Sequence, residues 1–389
     1  MAVKSNGIKF WLVWGSVLAL VCAAGTWALA QYLAQRQLDQ TAERFSLLNS
    51  LRKQALQEYF KTAHTELTFW SLNVDLHRKQ AELVKVWQTN GNEQGAPGDR
   101  LRAPYINRNP HPHGERRELA DAGDGSLYSA VHAELHPLAK RFVTERNYYD
   151  FFLIGPDGNI LYTVEKEDDF GTSLKTGPWR DTGLADVYRR ALTRNDSVVI
   201  SDLDTYGPSA NAPAIFMARA MVSADGELLG VLAFQLPTDS IQAIMQFDAG
   251  MGDSGETYLV GMDGLMRSDS RFSSEPSTLK VAVNTEAVQR ALADEQGVMI
   301  GPDYRGVMVL SAYDSLHLDG FQWAILAEID HDEIFRNAAR SYPEIAGLMA
   351  LVYALALGSL WFMRPGEYGI DGTVADAGSP GMDSPDLPG

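Results

Sequence analysis

The sequence has a single cysteine, Cys22, set inside an apolar run, which excludes an internal disulfide and a cysteine-ligated metal centre. It has no excess of basic charge: 33 Lys and Arg stand against 50 Asp and Glu, a formal net charge of -17. Nucleic-acid binders carry basic patches, so that partner is excluded, while an acidic surface favours solubility. No GxxxxGK[ST] loop is present, and Gly250 to Gly255 (GMGDSG) reads as a turn. No HExxH occurs, and neither Ser254 nor Ser311 sits in a nucleophile elbow. No catalytic residue, metal or cofactor is therefore expected, and no enzyme class. Proline and glycine are missing from Gln31 to Gln88, where a helix is free to run on.

What is present is organised as a repeat. Phe151 to Thr163 (FFLIGPDGNILYT) returns as Thr257 to Asp269 (TYLVGMDGLMRSD), in each case an apolar run, an Asp-Gly turn and a second run. Glycine accepts the positive φ such a turn needs, so two equivalent β-hairpins are predicted. Arg190 to Leu192 followed by Ser197 to Ile200 is echoed by Arg290 to Leu292 followed by Gly297 to Ile300, a helix end and then a strand. Phe216 to Leu236 is echoed by Val309 to Ile329, each a strand, an Asp-Gly turn and a strand. The fold class is thus α+β, with two tandem antiparallel sheets carrying helices to one side.

Phe10 to Ala30 holds no charge over a length that crosses a bilayer, with Lys4 and Lys9 before it and Trp11, Trp14 and Trp27 near its ends. A cleaved signal peptide is the rival reading, since Ala28 to Ala30 resembles a small-residue cleavage site. Ile345 to Met363 is a second uncharged stretch, flanked by Pro343 and Arg364. Between them, Leu56, Tyr59, Ala63, Leu67, Trp70 and Val74 mark a helical stripe. Unbroken, that helix reaches roughly 85 Å at 1.5 Å per residue. It packs on its own domain, or also forms the stalk of a dimer.

The sheet connections carry the candidate site. Trp179, Arg180, Asp202, Asp204 and Tyr206 fall on irregular segments beside the first sheet, and Tyr149 and Tyr162 flank its first hairpin. Aromatic walls with a few converging charges are what ligand pockets are made of. The competing reading is solvated loop charges, with Trp179 capping the core. Half of the eight histidines lie between Tyr105 and Val143, and His111, His113, His132 and His136 pose a zinc site against simple packing. Packing is the simpler reading, so no metal ligand is assigned. Arg267, Asp269 and Arg271 alternate as a solvated sheet face would.

Several segments together carry a resemblance: Tyr105 to Pro110 (YINRNP), Gly123 to Ser126 with Tyr128 and Val131-His132, Asn147 to Asp150 (NYYD), Phe170 to Ser173 (FGTS), and Gly255 to Val260 leading to Met266 to Phe272. The chain resembles the double-Cache family, the tandem PAS-like extracytoplasmic sensor domains of bacterial chemotaxis receptors, sensor kinases and nucleotide cyclases. The resemblance implies a ligand captured in the membrane-distal subdomain. One branch of that family binds amino acids through an Arg-x-Trp-Tyr segment and a later Asp that clamps the ammonium. Here Gly177 stands for the arginine and Arg180 for the tyrosine, Trp179 is kept, and Asp202 or Asp204 matches the later acid. Arg180 brings a small carboxylate or other anion into view as ligand.

The expected organisation is a cytoplasmic tail (1–9), a first membrane helix (10–31), a long stalk helix (32–88), a membrane-distal PAS-like subdomain (101–237), a membrane-proximal one (238–335), a second membrane helix (343–363) and a disordered cytoplasmic tail (364–389). The expected function is a sensor in the bacterial inner membrane, its main domain periplasmic, working as a homodimer or in a mixed receptor complex. With no output domain before the end of this sequence, the signal is expected to pass to a separate partner. The alternatives are a periplasmic scaffold whose pocket is filled by side chains, a receptor truncated before its output domain and, less favoured, a periplasmic metalloenzyme using the histidines.

Overall fold

The structure, a computed structural model, describes residues 2–89, 97–194, 197–339 and 342–362. The tail expected over 364–389 and most of the loop expected from Asn90 lie outside the described residues. The chain divides into two compact units, one of Met1–Leu33 with Ala339–Gly389 and one of Ala34–Ala338.

In the first unit, the start of α1 (Ala2–Ser71) lies beside α9 (Tyr342–Phe362). The Tyr353 hydroxyl donates to the Gly15 carbonyl at 3.5 Å, and Gly25 lies against Met349. By length and composition alone, these two helices are long and apolar enough to cross a membrane.

In the second unit, α1 buries Leu56, Phe60, Ala63 and Leu67, steps of four, three and four that keep one face inward. The helix expected to run unbroken to residue 88 instead stops at Ser71, and α2 (Val74–Thr89) restarts it. Asn73 is the reason: its side chain accepts from the Leu76 backbone N–H at 2.9 Å, a cap that competes with helix continuation. The break turns Val74 outward, to 80% exposed, although the stripe predicted it inside. Further along the chain, α3 (Pro97–Arg102) leads to α4 (Leu127–Arg146), capped by Ser126 and ended by Asn147 at φ 55°.

The first sheet has six strands: β1 (Asp150–Ile154), β2 (Ile160–Thr163), β3 (Val199–Ile200), β4 (Asp204–Tyr206), β5 (Ala212–Val222) and β6 (Leu228–Leu236). Their order is β2-β1-β6-β5-β3, with β4 paired to β5. The second sheet holds β7 (Glu256–Gly261), β8 (Gly297–Pro302), β9 (Met308–Leu318) and β10 (Phe321–Asp330) in the order β7-β10-β9-β8. Equivalent strands, β1-β6-β5-β3 and β7-β10-β9-β8, follow one order, so the sequence repeat is a repeat of topology. It reaches the helix caps. Thr182 starts α5 (Gly183–Thr193) by accepting from the Ala185 N–H, and Thr285 starts α7 (Glu286–Leu292) by accepting from the Val288 N–H. Between the sheets runs α6 (Thr238–Met245), and α8 (His331–Ala339) follows β10.

The Asp-Gly turns form as expected, with Gly158 at φ 90° and Gly264 at φ 78°. The second hairpin is looser than its counterpart: the residues after the turn form no strand and meet β7 through the Val260–Met266 bridge and the hydrogen bonds from Gly261 N–H to the Leu265 carbonyl and from Arg267 N–H to the Leu259 carbonyl. Arg267 in this segment, predicted on a solvated face, is only 4% exposed. Its guanidinium lies where a side chain on Gly261 would stand, and it pairs with Asp263 and Asp202. Asp269 and Arg271 are likewise engaged, with Ser277 and Thr278 and with the Gly255 carbonyl.

Each sheet is covered on both faces. One face of the first sheet, with Phe151, Leu153, Tyr162 and Phe234, packs on α1, α2 and α4, and this core continues to Trp323 and Ile325 of the second sheet. The other face, with Phe152, Ile154, Phe216 and Ala233, packs under α5. That second face carries the candidate site.

Candidate functional site

Side chains alternate along a strand, so Asp150 shares a face with Phe152, the face that packs under α5. Asp150 is in register with Gln235 of β6, and Gln235 with Phe216 of β5. Two polar groups, Asp150 and Gln235, therefore start from the same patch of sheet as the α5-side core. The loop after β2 closes over it with Glu167 and Asp169, both buried.

A polar network results, in three groups that are not hydrogen-bonded to one another. Tyr206 donates to Asp169 Oδ2 at 2.6 Å, Tyr149 to Glu167 Oε1 at 2.7 Å, and Ser209 to Glu167 Oε2 at 2.6 Å. Gln235 Nε2 donates to Ser209 Oγ at 3.2 Å. Asp150 Oδ1 accepts from the backbone N–H groups of Phe151, Val164 and Glu165. Trp179 borders the network, its ring 6.5 Å from that of Tyr206, which stands 4.8 Å from Phe216.

The network is incomplete. Asp150 Oδ2, Asp169 Oδ1, Gln235 Oε1 and Trp179 Nε1 are buried and have no hydrogen-bond partner in the structure. Burial pushes the Asp150 carboxyl well above its ordinary range, and the charges of Glu165, Asp169 and Glu167 add to that. Burial likewise lifts Asp169 to about 7, against the Tyr206 hydrogen bond. Buried polar groups are nearly always satisfied, and an orphaned one costs roughly 1–3 kcal/mol.

Of the residues singled out from sequence, Tyr149, Trp179 and Tyr206 meet here. Tyr162 belongs to the opposite face, where its hydroxyl meets His136 Nδ1 at 2.7 Å. Arg180 points outward, its side chain 55% exposed and 3.4 Å from Asp181. Asp204 is exposed and accepts from the Thr205 backbone N–H. Asp202 reaches the second sheet instead, accepting from Arg267 at 2.9 and 3.1 Å and from the Trp323 indole at 2.7 Å. Asp150, Glu167, Asp169, Ser209 and Gln235 were not foreseen. The available signal was a charged residue heading the apolar run Asp150 to Ile154, and the acidic stretch Glu165 to Asp169 following a strand.

The histidines pack. His132 and His136 stack 4.6 Å apart, His132 Nδ1 meets the Ala120 carbonyl, and His136 Nε2 meets the Arg117 carbonyl. Burial depresses both, His136 to about 3, helped by the buried ammonium of Lys166. Glu256, Asp303 and Glu328 form the one carboxylate group among the described residues close enough to hold a metal. Its oxygens are already engaged: Tyr304 and Ser270 donate to Glu256, Tyr258 and Ser311 to Glu328, and Arg305 to Asp303.

Comparison with known proteins gives a family match: the model described as Cache domain covers residues 30–338. A protein of Sinorhizobium fredii, described as a probable chemoreceptor (y4sI), is 25% identical over 232 residues, 59% of this chain. The chain spans 28% of that relative's length. The sensory domain of the Campylobacter jejuni chemoreceptor Tlp3 aligns with a TM-score of 0.47 at 12% identity, covering 78% of this chain and 99% of that one. The ligand-binding domain of the Pseudomonas fluorescens chemoreceptor CtaA aligns at 0.39 and 16% identity, covering 78% and 98%.

Proposed function

The chain belongs to the Cache family of sensor domains, and from that premise we propose that it is a membrane-anchored extracytoplasmic sensor whose first sheet unit captures a small molecule beneath α5. The observation that carries the placement of the site is the set of four buried, unpartnered polar atoms on Asp150, Asp169, Gln235 and Trp179. A ligand that satisfies them stabilises one packing of the loop and α5 over another, and a difference in affinity between two packings is all that a population shift requires. Tyr149, Trp179 and Tyr206 are its aromatic walls.

Asp202 connects this unit to the next. It lies four positions before Tyr206 in the chain and holds both Arg267 and Trp323, so a shift of the β3–β4 connection is felt by the second sheet. From there the signal passes to the apolar helices at either end of the unit, and across the bacterial inner membrane to a signalling partner. Lys4 and Lys9, ahead of the apolar run within α1, support a cytoplasmic N-terminus by the positive-inside rule, and a second span would return the chain there. A small carboxylate is not favoured as ligand, because Arg180 is turned to solvent and paired with Asp181.

The test is a thermal-shift screen of the full chain in lipid nanodiscs against a broad set of small metabolites. Saturation at a hundredfold excess over Kd stabilises by about 2.7 kcal/mol, a readily measured rise in melting temperature. A cooperatively unfolding chain that responds to no metabolite would reject the sensor reading.

A further inference from the structure

We propose that a second small-molecule site lies between α1 and the second sheet, and that it takes an uncharged polyhydroxy compound, a monosaccharide or a polyol. It is separate from the site beneath α5 and does not depend on that site's ligand. A cavity of about 360 Å³ opens where Ser46, Asn49 and Ser50 of α1 meet Gln296, Tyr313 and Asp314 at the β8–β9 side of the sheet. Asn49 Nδ2 donates to the Ile325 carbonyl of β10 at 3.1 Å, and Ile325 is in register with Asp314 of β9. Asn49 is only 3% exposed, yet its Oδ1 has no hydrogen-bond partner. The Ile325 carbonyl fixes which way the amide lies, since turning it over would set oxygen against oxygen. The unmet group is therefore an acceptor, and it calls for a hydroxyl or N–H donor from whatever fills the cavity.

Charge decides between the donors. Asp314 is the charged residue in the lining, and both its oxygens accept from the Lys53 ammonium at 2.9 Å, one helical turn beyond Asn49. A cationic ligand would have to compete with Lys53 for Asp314, and an anionic one with Asp314 for Lys53. The rest of the polar lining is hydroxyl and amide. Ser50 Oγ donates to the Ser46 carbonyl at 3.0 Å, which leaves its lone pairs free to accept. Sugar hydroxyls donate and accept in turn and carry no charge, which is the complement of such a wall. The volume lies at the small end of the range for ligand sites, enough for a single sugar ring.

The position gives the site its consequence. One wall is α1, the same helix that begins with the apolar run, and the other is the second sheet. A molecule bonded to both favours the packing in which this part of α1 lies on β9 and β10, so the second sheet has an input of its own.

The experiment is isothermal titration calorimetry of the full chain in nanodiscs with D-glucose, myo-inositol and glycerol, and with gluconate and glucosamine as charged counterparts. The expected result is binding of at least one uncharged compound, at least tenfold tighter than either charged one. Ser50 is exposed on α1, and Ser50→Trp, which fills the cavity from its rim, is expected to weaken that binding at least tenfold. Asn49→Leu, which removes the orphan acceptor, is expected to do the same. Hydrogen exchange with the compound bound is expected to slow in β8 and β9 and to stay unchanged in β1 and β6. Should Asn49→Leu not fold, Ser50→Trp and the exchange pattern still decide. Affinity unchanged in folded Ser50→Trp, protection confined to the first sheet, or preference for a charged compound overturns the inference. Silence toward all five probes also overturns it, and leaves the sensor reading standing if the metabolite screen gives a hit; silence toward the whole screen rejects both.

Discussion

At the scale of single residues, what matters is which side chains the fold strips of water. Glu328 is 1% exposed on β10, directly opposite Glu256 of β7, with Tyr258, Asp303 and Arg305 around the pair. Burial raises Glu328 from 4.5 to about 7, against the hydrogen bonds from Ser311 and Tyr258. A carboxyl raised on folding favours the fold while it is protonated in both states, below about 4.5, and that contribution is lost as pH rises through 7. The loss is on the order of 3 kcal/mol at 1.36 kcal/mol per pH unit. Urea unfolding of Glu328→Gln at pH 5 and pH 8 is expected to show a smaller pH-dependent loss than the unaltered chain; an identical loss would mean that Glu328 ionises freely in the fold. Phe151 is a simpler case. It is fully buried against Trp70, Phe142 and Phe234, and Phe151→Ala is expected to cost about 3–5 kcal/mol in the same assay.

At the scale of elements, the two sheets share one core through α1 and one polar tie through Asp202. Arg267 is almost fully buried between Asp202 and Asp263, and the Trp323 indole meets the same Asp202 oxygen as Arg267 Nε. Replacing Asp202 by Asn keeps the shape but removes one of the two charges that hold Arg267, an expected cost of about 1–3 kcal/mol because Asp263 remains. The more telling consequence concerns transmission. Hydrogen exchange with ligand bound is expected to protect β1 and β6 in Asp202→Asn as in the unaltered chain, while protection of β7 and β10 falls. Equal protection in both sheets would show that coupling travels through α1 instead.

At the scale of the whole molecule, the exposed apolar residues of α1 bear on assembly. Leu47 and Leu51 are 61% and 50% exposed and one helical turn apart, which supports pairing of two copies along this helix. With Cys22 replaced by Ser, Leu47→Cys is expected to form disulfide-linked dimers in native membranes under mild oxidation. Lys61→Cys, also exposed on the same helix, serves as the collision control. Cross-linking at Leu47 no faster than at Lys61 would remove the dimer.

Much of this architecture was legible because it is local. Asp-Gly turns, threonine caps, helical stripes and uncharged runs are settled by residues a few positions apart, and reading them twice over exposed the duplicated sheet. The break at Asn73 is local as well, but a capping side chain in an otherwise unbroken helical pattern leaves the choice between continuing and restarting to the packing around it. The site was only half legible. Trp179 and Tyr206 stood out as aromatics on connections, yet the acids they border depend on distant partners: Asp169 meets Tyr206 across 37 positions, Asp202 meets Arg267 across 65 and Trp323 across 121. The sequence alone determined the class of fold, its duplication and the apolar runs that flank it, since these follow from periodicity and turn chemistry. Only the tertiary structure decided that Asp150, Asp169 and Gln235 lose their water together while Arg180 and Asp204 keep theirs, because desolvation is a property of the neighbours a residue acquires and not of the residue itself.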